Sequence, residues 1–166
     1  MKIHCTNHRI ELAVKDAIKE TAFADVDNFY NSLFFFLENS GKTKSEIKEA
    51  AKALNIQNYT LPKITGTRFV GHRRNAYTKL LKMWPAITIA LENVVSDPAT
   101  RGETKAKVTG FLRNNLNSYR FLCLVCTYLD MLELITHISK VFEGEDLLVS
   151  EIKPGSSTRI QFRTLI

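Results

Sequence analysis

The chain has 166 residues, 45% of them hydrophobic and 24% charged, which is typical of one globular domain with a real core. No apolar run follows Lys2, so we expect no secretory signal. The longest uninterrupted apolar run, FLCLVC at residues 121–126, is too short to span a bilayer, and we expect no membrane association. Three cysteines give no paired disulfide framework, which favours a reducing compartment, either the nucleus or the cytoplasm.

The net charge of +6 is concentrated in one part of the sequence. Residues 1–49 carry seven Lys/Arg and eight Asp/Glu, and residues 92–166 carry nine of each. Residues 50–91 contain no acid and seven basic residues, namely Lys52, Lys63, Arg68, Arg73, Arg74, Lys79 and Lys82. A field of one sign attracts polyanions. The central region is therefore a candidate DNA contact, and a solvated helix face without a partner is the alternative.

Hydrophobic periodicity predicts helices from the N-terminus onward. Asn7 is expected to cap a first helix, and Asp25 or Asp27 to open a second one. The second helix contains the apolar run LFFFL at residues 33–37, which should be enclosed by neighbouring elements, and it should end near Ser40 and Gly41. The capping-box spacing of Thr43 and Glu46 predicts the start of a third helix.

The second half of the chain repeats this helical pattern after a break. Residues 55–66, NIQNYTLPKITG, read as an extended connection. A long periodic segment follows, in which Pro85 predicts a kink or a break, and the spacing of Thr100 and Glu103 predicts another capping box. The last helical region, at about 103–142, should be interrupted near NNLNS at residues 114–118, and it carries one polar stripe: Asp130, Glu133, His137 and Lys140. The fold class predicted is an all-α helical bundle.

Two groups of Cys and His residues raise the question of zinc. Cys5 and His8 are three residues apart, and Cys123 and Cys126 repeat that spacing, so the four could form a ligand set. However, Cys123 and Cys126 lie in the most apolar predicted helix, where free cysteine behaves as a small hydrophobe. We therefore predict structural cysteines and no metal site.

The sequence contains no recognisable catalytic arrangement. No Ser or Cys sits in a nucleophile elbow, and there is no Gly-rich loop of the kind that holds phosphate groups. His72 is flanked by Arg73 and Arg74, which favours phosphate contact over general-base chemistry. We expect no enzymatic activity, no cofactor and no small-molecule substrate.

Two segments resemble the hAT superfamily of DNA transposases. HCTNHRIELAV, with His4, Cys5 and His8, is similar to the Cys-x-x-His segment of that family. About sixty residues later, GTRFVGHRRNAYTKLL, with Thr67 and Arg68, resembles the second landmark, Thr-Arg-Trp followed by a basic helix. The likeness continues in order to about residue 150, and the nearest subgroup is the domesticated one around zinc finger protein 862.

The resemblance implies a position within a larger architecture. Residues 1–24 would border an RNase H-like core, residues 25–150 would correspond to part of its helical insertion domain, and residues 151–166 form a tail of uncertain structure. The three catalytic acids of the family lie outside the segment that the chain resembles. A truncated, non-catalytic nuclear fragment of a transposable element-derived protein is therefore expected.

The resemblance also suggests how such a fragment would contact DNA. Phe69 stands where the family has a tryptophan that handles distorted transposon ends, so stacking could survive without the indole donor. Weak, salt-sensitive DNA contact is expected through Arg68, Phe69, His72, Arg73, Arg74, Lys79 and Lys82. The alternative is a helical interaction module that associates with a helical protein partner or with a second copy of itself.

Overall fold

The computed structural model describes residues 6–57, 60–65 and 68–143, and these contain helices and connections but no strand. The all-α prediction is confirmed for this part of the chain. The elements are α1 (Thr6–Ile18), α2 (Phe23–Glu38), α3 (Gly41–Ala53), α4 (Phe69–Ser96), α5 (Gly102–Phe111), a π-helical turn (Leu112–Leu116) and α6 (Tyr119–Glu143). His4, Cys5, Thr67 and the 151–166 tail lie outside the described residues.

Helix α4 is the central element: α1, α3, α5 and α6 pack against it, and α2 reaches it through the side chains of Asp27 and Tyr30. Its inward positions recur every three or four residues, which puts them on one face of the helix: Tyr77, Leu80, Met83, Ile87 and Leu91, all buried. The facing side of α2 supplies Val26, Tyr30 and Leu33, and α6 supplies Val125, Tyr128 and Leu132. Burial of these large side chains is the main source of stability for a bundle of this kind.

The start of three helices differs from the sequence prediction. Thr6 precedes Asn7 within α1, and α2 begins at Phe23, before either predicted aspartate. Helix α3 begins at Gly41 because the Ser40 side chain accepts a hydrogen bond from the Thr43 backbone N–H at 3.2 Å. The Thr43 hydroxyl pairs with Ser40 Oγ and is buried, so the predicted Thr43–Glu46 capping box is wrong.

The connections in the second half agree with the prediction in part. Pro85 is exposed and does not break α4, whose buried residues continue on both sides of it. The predicted Thr100–Glu103 capping box is wrong, because α5 begins at Gly102 without a side-chain cap. The predicted interruption near NNLNS is confirmed: the π-helical turn ends at Leu116, whose carbonyl accepts a hydrogen bond from Trp84 Nε1 at 3.1 Å.

Two predictions about apolar segments need correction. Phe35, in the middle of LFFFL, is 50% exposed, so that run is not enclosed on every side. In α6 the polar stripe Asp130, Glu133, His137 and Lys140 is exposed as predicted, but Cys123 and Cys126 are also exposed and do not pack as buried hydrophobes.

The segment Tyr119–Lys140 is long and apolar enough to cross a membrane by length and composition, which for a single helix is weak evidence of a membrane.

One buried polar cluster links α2, α4 and α6. The Asp27 carboxylate on α2 receives Arg73 Nη2 at 2.7 Å and Arg73 Nε at 2.8 Å, both from α4. The Tyr77 hydroxyl donates to the other carboxylate oxygen of Asp27, and the Tyr128 hydroxyl from α6 lies 3.4 Å from the same atom. The side chains of Asp27 and Arg73 are only 14% and 13% exposed, so each charge depends on the other for compensation.

Asp27→Asn should destabilise the fold because it leaves the Arg73 guanidinium buried without a counter-charge. The expected loss in the free energy of unfolding is about 3 kcal/mol, as for other broken buried ion pairs. The melting temperature should fall by roughly 10 °C in a chain of this size. Thermal and urea unfolding followed by circular dichroism measure both quantities.

Asp16→Asn is the matched control. It removes an equal charge from the exposed Asp16–Lys19 pair, whose side chains are 69% and 62% exposed, so stability should be nearly unchanged. Equal losses in the two variants would contradict a structural role for the Asp27–Arg73 pair.

Candidate nucleic-acid interface

The exposed polar residues near the start of α4 share one side of the helix. His72, Asn75, Lys79 and Lys82 follow one another at steps of three and four, which is the spacing of a single helix face, and Arg68 immediately precedes the helix, four residues before His72. All are exposed except Lys79, which is half-buried. We call these five residues the basic face. It runs for roughly 21 Å, at about 1.5 Å of rise per residue.

Packing limits the basic face at one end. Ala86 continues the same four-residue step after Lys82, but it is completely buried. The opposite side of this part of α4 is filled by the core residues Tyr77 and Leu80. The exposed cations therefore occupy the part of α4 that the other described helices leave uncovered.

Phe69 and Arg73 do not belong to this face. Phe69 is 8% exposed, and the Arg73 guanidinium lies over its ring, 3.5 Å from the centroid. Arg73 also holds Asp27, as described above. Because these internal contacts hold both side chains, the structure does not support the predicted DNA contact through Phe69 and Arg73.

Arg74 is exposed but points away from the basic face. It follows His72 by two residues, which is about 200° around the helix. Its Nε lies 3.7 Å from Glu133 Oε1 on α6, and both side chains are about half exposed, at 45% and 51%. Exposed pairs of this length contribute little to stability. Arg74 thus faces a neighbouring acid on α6.

The two segments that resemble the transposase landmarks meet in the fold. The Glu11 carboxylate of α1 accepts a hydrogen bond from the Val70 backbone N–H of α4 at 2.7 Å. A carboxylate is favoured there because the first backbone N–H groups of a helix lack partners within the helix. His8 lies beside this contact, in a groove that also includes Ile64 and Phe69. The contact anchors the N-terminal end of α4, where the basic face begins.

Two features of this region are evident only from the helical register. Asp27 was expected at a helix start, although its spacing from Phe23 and Tyr30 places it on the inward side of α2. Asn75 was overlooked because it carries no charge, although the four-and-three spacing from Arg68 to Lys82 includes it. In both cases the spacing along the helix indicates on which side of the helix the residue lies.

The candidate zinc ligands do not come together in the described part of the chain. Across residues 6–57, 60–65 and 68–143, no group of three or more His, Cys, Asp or Glu residues is placed to hold a metal ion. Cys5 lies outside these residues, so the structure does not test the complete candidate set of Cys5, His8, Cys123 and Cys126.

No family model matches the chain, and no solved structure matches it.

Three buried tyrosines, Tyr30, Tyr77 and Tyr128, have pKa values raised above the usual value of tyrosine. Burial raises the pKa of Tyr77 far above its usual value, and the negative charge of Asp27 raises it further. Burial and then Asp27 raise the pKa of Tyr128, and burial raises the pKa of Tyr30, whose hydroxyl donates to the Pro62 carbonyl at 2.6 Å. Each hydroxyl is therefore held neutral in the folded protein.

These shifts predict a loss of stability at alkaline pH. A tyrosine in the unfolded chain ionises near pH 10, whereas the buried ones resist ionisation. Their contribution to stability is therefore complete below about pH 10 and falls as the pH rises from there toward their higher folded-state pKa values. Urea unfolding between about pH 8 and pH 12 should show the decline beginning near pH 10.

Ultraviolet absorbance of tyrosinate distinguishes the buried from the exposed groups. Tyr119, which is 81% exposed, should ionise while the helices remain intact. Tyr30, Tyr77 and Tyr128 should ionise only together with the loss of helical circular dichroism. Complete ionisation of all the tyrosines in a chain that is still helical would contradict the burial of these hydroxyls.

Proposed function

We propose that this chain is a non-catalytic helical protein, derived from a hAT-like transposase, that contacts DNA weakly through the basic face of α4 in the nucleus. The observation that carries the proposal is the alignment of Arg68, His72, Lys79 and Lys82 on one side of a helix, within a stretch that contains no acid. The resemblance of the two landmark segments supports the transposase origin.

The chemistry of the basic face fits the phosphate backbone better than it fits the bases. Arg and Lys side chains form charge-assisted hydrogen bonds to phosphate oxygens. Such contacts position a protein on DNA but carry no base information. The basic face is roughly 21 Å long. It therefore spans about six base pairs at about 3.4 Å of helix axis per base pair. Binding should therefore tolerate different sequences and weaken as salt increases.

The arrangement of acids supports a role without catalysis. The resemblance places the family's catalytic acids outside the matched segment. Of the acids described here, Asp27 is bound to Arg73, Glu11 caps α4, and Asp97 pairs with Lys42. These three carboxylates are engaged within the fold, and we propose no metal-dependent cleavage of DNA by this chain.

The test removes three cations of the basic face together, in the variant Arg68→Ala/Lys79→Ala/Lys82→Ala. Fluorescence anisotropy with a labelled DNA duplex, measured across a salt series, gives the affinity and its salt dependence. Each lost phosphate contact should reduce the slope of log affinity against log salt by about 0.9, and hence by nearly 3 for the triple variant.

The matched control is Lys19→Ala/Arg101→Ala/Arg113→Ala, which removes the same charge from exposed positions outside α4. Its salt slope should stay close to that of the wild type. If the two variants weaken binding equally, net charge and not the basic face governs DNA contact. Unchanged affinity and slope in the α4 variant would also contradict the proposal.

A second candidate function is association through α6. Tyr119, Leu134 and Ile138 are 81%, 58% and 43% exposed, so part of the apolar surface of this helix is not covered by the other described elements. Hydrophobic association should hold or strengthen as salt increases, whereas phosphate contact should weaken. The salt response therefore distinguishes the two candidate functions.

A further inference from the structure

Helix α6 carries two exposed thiols one helical turn apart. Cys123 and Cys126 are both exposed, although cysteine is among the residues most often buried in proteins. The inward positions of the same part of α6 are filled by Phe121, Val125 and Tyr128. The two thiols therefore lie outside the core, where Cys123 forms a hydrogen bond with the exposed Tyr119.

The spacing of the thiols suits a soft metal ion. Side chains three residues apart on a helix have Cβ atoms about 5–6 Å apart. Two thiolates from such positions can reach one ion at a zinc–sulfur distance of about 2.3 Å. Structural zinc sites are closed by four ligands, commonly four cysteines. Within the described residues of one chain, no third ligand joins these two.

A second copy of the chain would supply the missing pair of ligands. We propose that Cys123 and Cys126 from two copies bind a single Zn²⁺ ion in a four-thiolate site that joins the chains through α6. Four thiols lose four protons and four Zn–S bonds form, so binding releases protons and strengthens with pH. This inference is independent of the DNA contact proposed above.

The charges on α6 favour an antiparallel arrangement of the two helices. With the thiol pairs facing each other, a two-fold axis between residues 124 and 125 places Asp130 of one copy opposite Tyr119 and Arg120 of the other. A parallel arrangement would instead bring Asp130 against its own counterpart, and like charges repel. The antiparallel pair also covers the exposed ring of Tyr119.

The experiment uses the full chain, reduced and freed of metal. Sedimentation velocity should show a monomer, and added Zn²⁺ should convert it to a dimer that contains one zinc per two chains. Co²⁺ used as a probe should give the thiolate-to-cobalt charge-transfer absorption of a four-thiolate site. A chelator should restore the monomer without changing its helical circular dichroism, because the thiols take no part in the core.

Two cysteine variants separate this site from other causes of association. Cys123→Ser/Cys126→Ser should remain folded and should lose both the zinc-dependent dimer and the cobalt absorption. Cys5→Ser is the matched control, since Cys5 is the remaining cysteine, and it should retain both. The proposal is overturned if the wild type stays monomeric at saturating Zn²⁺. It is overturned equally if the double variant still dimerises with the metal.

A charge exchange tests the antiparallel orientation. Arg120→Glu should weaken the zinc-linked dimer by placing two acids together, and Arg120→Glu/Asp130→Arg should restore it. A dimer unaffected by Arg120→Glu would contradict the antiparallel arrangement.

Discussion

The ion pair between Asp27 and Arg73 fixes the orientation of the central helix, and the rest of the described structure depends on that orientation. Removing two charges from water is costly. Here the cost is offset because the carboxylate accepts hydrogen bonds from the guanidinium and from Tyr77, while Tyr128 lies close by. With Arg73 directed inward, the helical period directs His72, Lys79 and Lys82 outward. The same contact thus stabilises the bundle and defines the surface proposed to meet DNA.

The helical character of the chain could be predicted from its sequence, because apolar residues recur at helical spacing over long segments. The interruption after α5 and the exposed stripe from Asp130 to Lys140 followed from the same reasoning. The exact helix starts did not, because Ser40 and Thr43 are both good caps by residue type and only the fold selects between them. Likewise, Arg68 and Arg73 are the same residue type in the same basic region, so the local sequence does not show which of them is buried. The partner of Arg73 lies 46 residues away, beyond any local pattern.

The two proposed surfaces lie on different helices and use different chemistry. The basic face of α4 would make weak contacts to a polyanion, whereas the thiol pair of α6 would join two copies of the chain. Two linked copies would present two basic faces, and binding of the second to the same DNA would be intramolecular. Avidity of this kind raises apparent affinity without any new contact, provided that both faces can reach one duplex. The zinc-linked dimer would then increase the apparent DNA affinity that the basic face provides.

The most direct test of this account compares two single substitutions of the same type, Arg73→Gln and Arg68→Gln. For each variant, the free energy of unfolding and the salt-dependent affinity of the folded protein for duplex DNA are measured together. Arg73→Gln should lower the free energy of unfolding by about 3 kcal/mol and leave the salt slope unchanged. Arg68→Gln should reduce the slope by about 0.9 and alter stability by less than about 0.5 kcal/mol. A lower salt slope for Arg73→Gln at unchanged stability would contradict the assignment of Arg73 to the interior.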